Sequence, residues 1–184
     1  MYIIPITNID LSQFCSREEM RAYLLKPASQ GDWTYATNGH IMVRVPRLVA
    51  VPEVEHFPYK QCVKMFTDFS LTEPIPLGQY DWPEQTEDDC THCDGRGKEH
   101  DCPACECTCE WCDGAGIAPA MDNISAEISG IPFQAKYIKM LAALPSIEVP
   151  AKVHPSNPMP FRFEGGQGLL MPRKTECTEH LKPI

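Results

Sequence analysis

Cys90-Thr-His-Cys93-Asp-Gly-Arg-Gly97 and Cys109-Glu-Trp-Cys112-Asp-Gly-Ala-Gly116 are two copies of one pattern, CxxCxGxG. Thiolates are soft ligands for zinc, and the spacing C-x2-C-x15-C-x2-C falls in the range of four-cysteine metal sites. Each CxxC sets two sulfurs on one side of a tight turn. The glycines that follow permit positive φ, which lets backbone N–H groups turn toward the thiolates. Cys90, Cys93, Cys109 and Cys112 are the expected ligands. Between them lie three more thiols, Cys102, Cys105 and Cys107, and His100 can complete a second site. One zinc is expected; a second zinc, or spare thiols in a cramped loop, are the two readings of the inner set. CxxC can also be redox active. Paired CxxC units with glycine turns suit zinc better, and zinc-bound thiolates are poorly available for exchange.

Seven of the ten cysteines fall between Cys90 and Cys112, leaving Cys15, Cys62 and Cys177 scattered. That is a local module, not a chain-wide disulfide framework, and it favours a reducing compartment. Met1-Tyr-Ile-Ile-Pro5 shows no basic stretch or cleavage site, and no apolar run is long enough to span a membrane, so a cytoplasmic protein without a membrane partner is expected. The formal charge of −9 argues against a generally basic nucleic-acid binder, although one local basic face is still allowed. The acidic residues crowd into 84–89, 99–101 and 106–110, in or beside the module. Zinc on four thiolates is itself net negative, so the module is not expected to be the part that meets DNA.

The positioning elements follow from pattern. Asp10-Leu11-Ser12 can cap a helix over 11–26, with Leu11, Phe14, Met20, Tyr23 and Leu24 on its apolar side and Pro27 ending it. Residues 33–36 and 41–46 read as strands joined by Asn38-Gly39 turn chemistry. Residues 59–69 form a short helix candidate, and 71–83, rich in proline, reads as a connection. After the cysteines come a strand over 123–128, a helix over 134–144, and strands over 147–153, 160–163 and 168–172. The order predicts an α+β domain, residues 1–86 and 118–175, interrupted by a zinc-binding insertion over 87–117 and followed by a tail over 176–184.

Two stretches outside the cysteines resemble the bacterial DNA polymerase III β sliding clamp. Ala36-Thr37-Asn38-Gly39-His40-Ile41 resembles that family's Ala-Thr-Asp-Gly-His-Arg-Leu hairpin, with Asn for Asp and Ile-Met for Arg-Leu. Residues 131–144 resemble its Phe-Asn-x-x-Tyr-Leu-x-x-x-Leu helix, followed at fitting distances by Asn157-Pro-Met-Pro-Phe161 and Gly168-Leu-Leu-Met-Pro-Arg173. The resemblance implies two helices packed on a curved antiparallel sheet, the helices facing DNA. Their cations, Arg17, Arg21 and Lys26 on the first and Lys136 and Lys139 on the second, would meet phosphates without reading sequence. Glu18 and Glu19 dilute the first set. A clamp subunit strings three such domains together, so a ring of this one-domain chain implies a homo-oligomer of about six copies. The family's groove for partner peptides maps onto Thr37, His40 and Ile41 with Leu170, Met171 and Pro172. Those two elements come from adjacent domains in the family, so here they are expected to meet across a subunit contact. The cysteine module is similar to the zinc region of DnaJ-type chaperones, whose first and last repeats pair.

No nucleophile with an ordered base stands out, so a non-enzyme is expected. Three functions follow: a clamp-like DNA-replication or repair accessory, from a phage or mobile element on account of its compact single-domain form and unusual insertion; a protein-interaction module serving a replication, repair or chaperone partner without DNA; and thiol-redox or chaperone-like activity at the cysteines. His56, His154 and His180 read as surface residues, and Tyr137, Ile138, Leu141 and Leu144 as core.

Overall fold

The Asn38-Gly39 signal builds the centre of the fold. Strands β1 (Ile3–Ile4) and β2 (Ile9–Asp10) pair as a ribbon, and β3 (Ala28–Gln30), β4 (Trp33–Thr37) and β5 (Ile41–Pro46) follow. At the β4–β5 tip the Asn38 carboxamide oxygen accepts from the N–H groups of His40 and Ile41 at 2.9 and 3.1 Å, while Gly39 takes φ +91°. Helix α1 (Tyr59–Thr67) and strand β6 (Pro74–Pro76) come next, then β7 (Glu87–Asp89) and β8 (Ile117–Pro119), which pair as a ribbon at the base of the cysteine module. Strands β9 (Ile124–Ile128) and β10 (Ile131–Gln134) lead into helix α2 (Ala135–Ala142). Strands β11 (Glu148–Pro150), β12 (Met159–Phe163), β13 (Gly166–Leu170) and β14 (Glu179–Leu181) complete the chain. The computed structural model describes residues 3–4, 9–67, 69–82, 87–90, 92–98, 109, 112, 114–119, 124–173 and 179–184.

The result is an α+β fold built on a seven-stranded antiparallel sheet, ordered β3-β4-β5-β13-β12-β11-β6. Strand alternation splits the core into two layers. Along β5, Ile41, Val43 and Val45 enter the larger cluster with Leu11, Phe14, Phe133, Ile138, Leu141 and Phe161, whereas Met42 enters the other with Tyr35, Phe57, Cys62 and Phe66. Helix α2 and the small sheet β10-β9-β14 therefore cover one face, and α1 the other. Arg44 belongs to the α1 face, its guanidinium 4.4 Å from the Trp33 ring centroid and 4.1 Å from that of Phe66.

Several expectations need correction. Residues 11–26 are not one helix but two 3-10 segments, Leu11–Phe14 and Glu19–Leu24. Asp10 does cap the first, accepting from Ser12 N–H at 3.0 Å. The Ser16 hydroxyl then accepts from Glu18 N–H, and Ser16 N–H reaches Leu24 C=O, so the chain folds back on itself. Met20 and Tyr23, expected on the apolar side, are 87% and 39% exposed. The 71–83 connection contains edge strand β6, and the C-terminal tail contributes β14, which pairs parallel to β9. Beyond β14, Ile184 N–H donates to Gln79 C=O at 2.8 Å.

Two aromatic residues anchor the chain at residues 80–82. Tyr80 and Trp82 pack with their rings tilted by 33° at 5.1 Å between centroids, and the Tyr80 hydroxyl donates to Glu127 C=O on β9 at 2.9 Å. Burial, with Glu127 adding to it, pushes that phenol up to about 12, so it stays a donor at any ordinary pH. Tyr80→Phe is expected to lower stability by about 1 kcal/mol, read as an earlier urea midpoint at unchanged slope.

Candidate metal centre and hairpin tip

At their described residues the two CxxCxGxG repeats fold alike. In the first, Cys93 N–H and Gly95 N–H turn back to Cys90 C=O at 3.3 and 3.1 Å; in the second, Gly114 N–H reaches Cys109 C=O at 3.1 Å. The turns need left-handed backbone, which Gly95, Gly97, Gly114 and Gly116 supply at φ between +70° and +78°. Each last glycine then donates its N–H to the second sulfur of its own repeat: Gly97 to Cys93 Sγ and Gly116 to Cys112 Sγ, both at 3.2 Å. These are the N–H contacts to thiolate expected from the sequence.

The repeats also lock to each other, which spacing alone did not foretell. Cys90 N–H donates to Gly116 C=O at 2.8 Å and Cys109 N–H to Gly97 C=O at 2.9 Å, a reciprocal pair that crosses between repeats. The backbones approach so closely that a Cβ on Gly97 would overlap Gly114 O, and one on Gly116 would overlap Gly95 O. The last glycine of each repeat is therefore required twice, for its φ and for this contact.

This locking brings four sulfurs to one point. Cys90 and Cys109 Sγ lie 3.9 Å apart, Cys93 and Cys112 Sγ 3.8 Å, and all four fall within 4.8 Å of one another. A tetrahedron of sulfurs about 2.3 Å from a central ion has edges of about 3.8 Å, so the cage fits a metal ion of that size. The four cysteines are 0–7% exposed. Burial works to raise Cys90, but the N–H groups of Cys93 and His92 outweigh it and bring that thiol down to about 7. Burial raises Cys93 to about 11. Four sulfurs gathered this closely could hold a metal ion, which binds cysteine as thiolate. The candidate second ligands His100, Cys102, Cys105 and Cys107 lie outside the described residues.

The other expected site residues gather at the β4–β5 tip. Leu170 pairs with Ile41 in the β5–β13 ladder, and Met171 N–H donates to His40 C=O at 2.9 Å, so the two groove segments meet within one chain, not across a subunit contact. Ile41 and Leu170 are core residues, and Thr37 and Pro172 are buried with them; Met171 is half-buried and His40 exposed. Among the cations, Arg21 Nη1 donates to Asn38 C=O at 3.4 Å and Nε pairs with Glu18 at 3.0 Å. Lys136 Nζ lies 5.4 Å from the Tyr137 ring centroid, and that ring stacks on His40 at 6.0 Å and 24°. Asn38 Nδ2 donates to the Tyr137 hydroxyl at 3.1 Å. His40 is exposed as a residue, but partial desolvation of its ring, and then the charges of Lys136 and Arg21, hold the imidazole below its ordinary range, with Glu18 opposing. Arg17 and Lys26 are exposed on either side of the second 3-10 segment, and half-buried Lys139 lies further along α2. Tyr137, which the sequence marks only as core, is thus also the ring on which the tip rests.

Compared with protein-family models, curated proteins and solved structures, the chain matches none. Among the described residues, no helix is long and apolar enough to cross a membrane.

Proposed function

We propose that this chain is a non-catalytic accessory of DNA replication or repair, a one-domain module of sliding-clamp type carrying a structural zinc. The observation that carries the reading is the convergence of the clamp-like segments: the 36–41 hairpin, the 135–142 helix and the 168–172 segment pack on one another around a single tip bearing Arg21, His40 and Lys136. These cations stand out in a chain of formal charge −9, and such a group can hold a phosphate backbone without reading bases. Zinc is the metal that a closed, four-thiolate tetrahedral cage suits, and such a cage has no open position for catalysis. When bound, zinc would neutralise thiolates and cross-link the two repeats; Gly97 and Gly116 N–H groups would temper the excess negative charge at sulfur. Cys90, Cys93, Cys109 and Cys112 would be its ligands.

The test is binding of a labelled DNA duplex by fluorescence anisotropy across a salt series, with native mass measured by light scattering on the same sample. Affinity is expected to fall steeply as salt rises, and Lys136→Glu with Lys139→Glu is expected to weaken it by about tenfold or more. A ring-sized particle of about six copies would accompany encirclement. Absence of duplex binding at low salt would instead leave a protein-interaction module that works without DNA.

A further inference from the structure

The hairpin tip joins groups that lie far apart in the chain. Arg21 comes from the second 3-10 segment, His40 from the β4–β5 turn and Lys136 from the first turn of α2. Three contacts hold them in register: Arg21 on Asn38 C=O, Asn38 Nδ2 on the Tyr137 hydroxyl, and the His40 ring stacked on Tyr137. Gly39 is favoured by its φ of +91°, and a Cβ there would come within 3.1 Å of Arg21 Nη1. The turn thus keeps its backbone open to the guanidinium. Among the described residues, the carboxylate of Glu18 pairs with Arg21 Nε at 3.0 Å.

We propose that this tip is a phosphate-contact site whose affinity is coupled to protonation of His40: Arg21 and Lys136 supply fixed positive charge, and His40 gains its own when a phosphate group sits against them. The inference rests on the DNA reading above and names the contact point and its regulation. Without an anion, desolvation of the ring first, and then the ammonium of Lys136 and the guanidinium of Arg21, disfavour a charge on the imidazole, against the weaker pull of Glu18. A phosphate oxygen placed among them reverses that balance. The bound form therefore titrates at higher pH than the free form, binding takes up a proton, and affinity rises as pH falls through the histidine range. Tyr137 holds the ring in place, its hydroxyl accepting from Asn38 Nδ2.

The experiment is an NMR titration of the His40 ring, its resonance assigned by its loss in His40→Phe, with no anion, with inorganic phosphate, and with a short DNA duplex whose binding is followed separately by anisotropy. The duplex is expected to raise the His40 midpoint by about one pH unit. Duplex affinity is expected to strengthen about fivefold to tenfold between about pH 7.5 and 5.5, and that dependence is expected to vanish in His40→Phe, which keeps a ring against Tyr137. A response to inorganic phosphate alone, with no duplex binding, would keep the phosphate site and overturn the DNA reading. A duplex that binds without moving His40 would overturn the site and leave the DNA reading standing. Silence toward both ligands would overturn both.

Discussion

Chelating the metal is expected to unfold the cysteine module and leave the α+β body standing. Among the described residues, the only buried cluster in that part of the chain is the four cysteines themselves, separate from both layers that cover the large sheet. A segment of this length buries too little apolar surface to hold its shape, so coordination must supply the folding free energy, about 10–16 kcal/mol for a structural zinc. What enters and leaves the module is the β7–β8 ribbon of three residue pairs, and a short isolated ribbon is marginal in water. Hydrogen exchange makes the division visible. Chelator should release the amides of Cys90, Gly97, Cys109 and Gly116, whose bonds close the two repeats on each other or on sulfur, while those of Val43 and Phe161 on the large sheet keep their protection. Simultaneous loss of both sets would show that module and body fold as one unit.

A single methyl group should do nearly as much. In Gly97→Ala the new Cβ would overlap Gly114 O and lie 3.1 Å from its carbonyl carbon, at a φ of +70° that alanine rarely adopts. Gly116→Ala meets Gly95 O in the mirrored position. Backbone cannot swing aside as a side chain can, so the two repeats must separate and the sulfur cage must open. Metal content per chain is expected to fall well below that of the unaltered protein in either variant, whereas Gly130→Ala is expected to retain it, since an added methyl there meets nothing within 4 Å.

Why the cage was legible and the first helix was not comes down to how local the physics is. CxxCxGxG carries its ligands and its turn chemistry within eight residues, and Asn38-Gly39 carries its own side-chain acceptor, so both fold as their sequences direct. Residues 11–26 have apolar positions at helical spacing too. There the Ser16 hydroxyl competes for a backbone donor, and Arg21 takes φ −110° and ψ 47°, outside any helix, beneath the hairpin tip. Strand β14 was illegible for the opposite reason: three residues with no apolar alternation become a strand only because β9 offers an open edge. The tip is tertiary in the same sense. Arg21 and Lys136 can be picked out as cations, but that His40 rests on Tyr137 between them depends on packing across about a hundred residues.

Phe161→Ala and Gly168→Ala are expected to destabilise the body more than any surface change, and to do so non-additively. Gly165-Gly-Gln-Gly168 looks too rich in glycine for strand, since each glycine costs backbone entropy and presents nothing to pack. The β12–β13 ladder answers this with aromatic rings: Phe161 is directly opposite Gly168 and Phe163 opposite Gly166, and both rings lie in the core layer that α2 covers. The space a side chain would occupy on Gly168 is already filled, for a Cβ there would overlap Phe161 Cζ and come within 2.5 Å of Met42 C=O. Removing the fully buried Phe161 ring should cost about 3–5 kcal/mol, and adding the methyl at Gly168 about 1–3 kcal/mol. In the double variant the ring that the methyl would strike is gone, and only the clash with the Met42 carbonyl remains. Its loss should fall short of the sum of the two by about 1 kcal/mol or more in urea unfolding. Strict additivity would mean that the ring and the glycine do not share that space, and the ladder would need another explanation for a strand so poor in side chains.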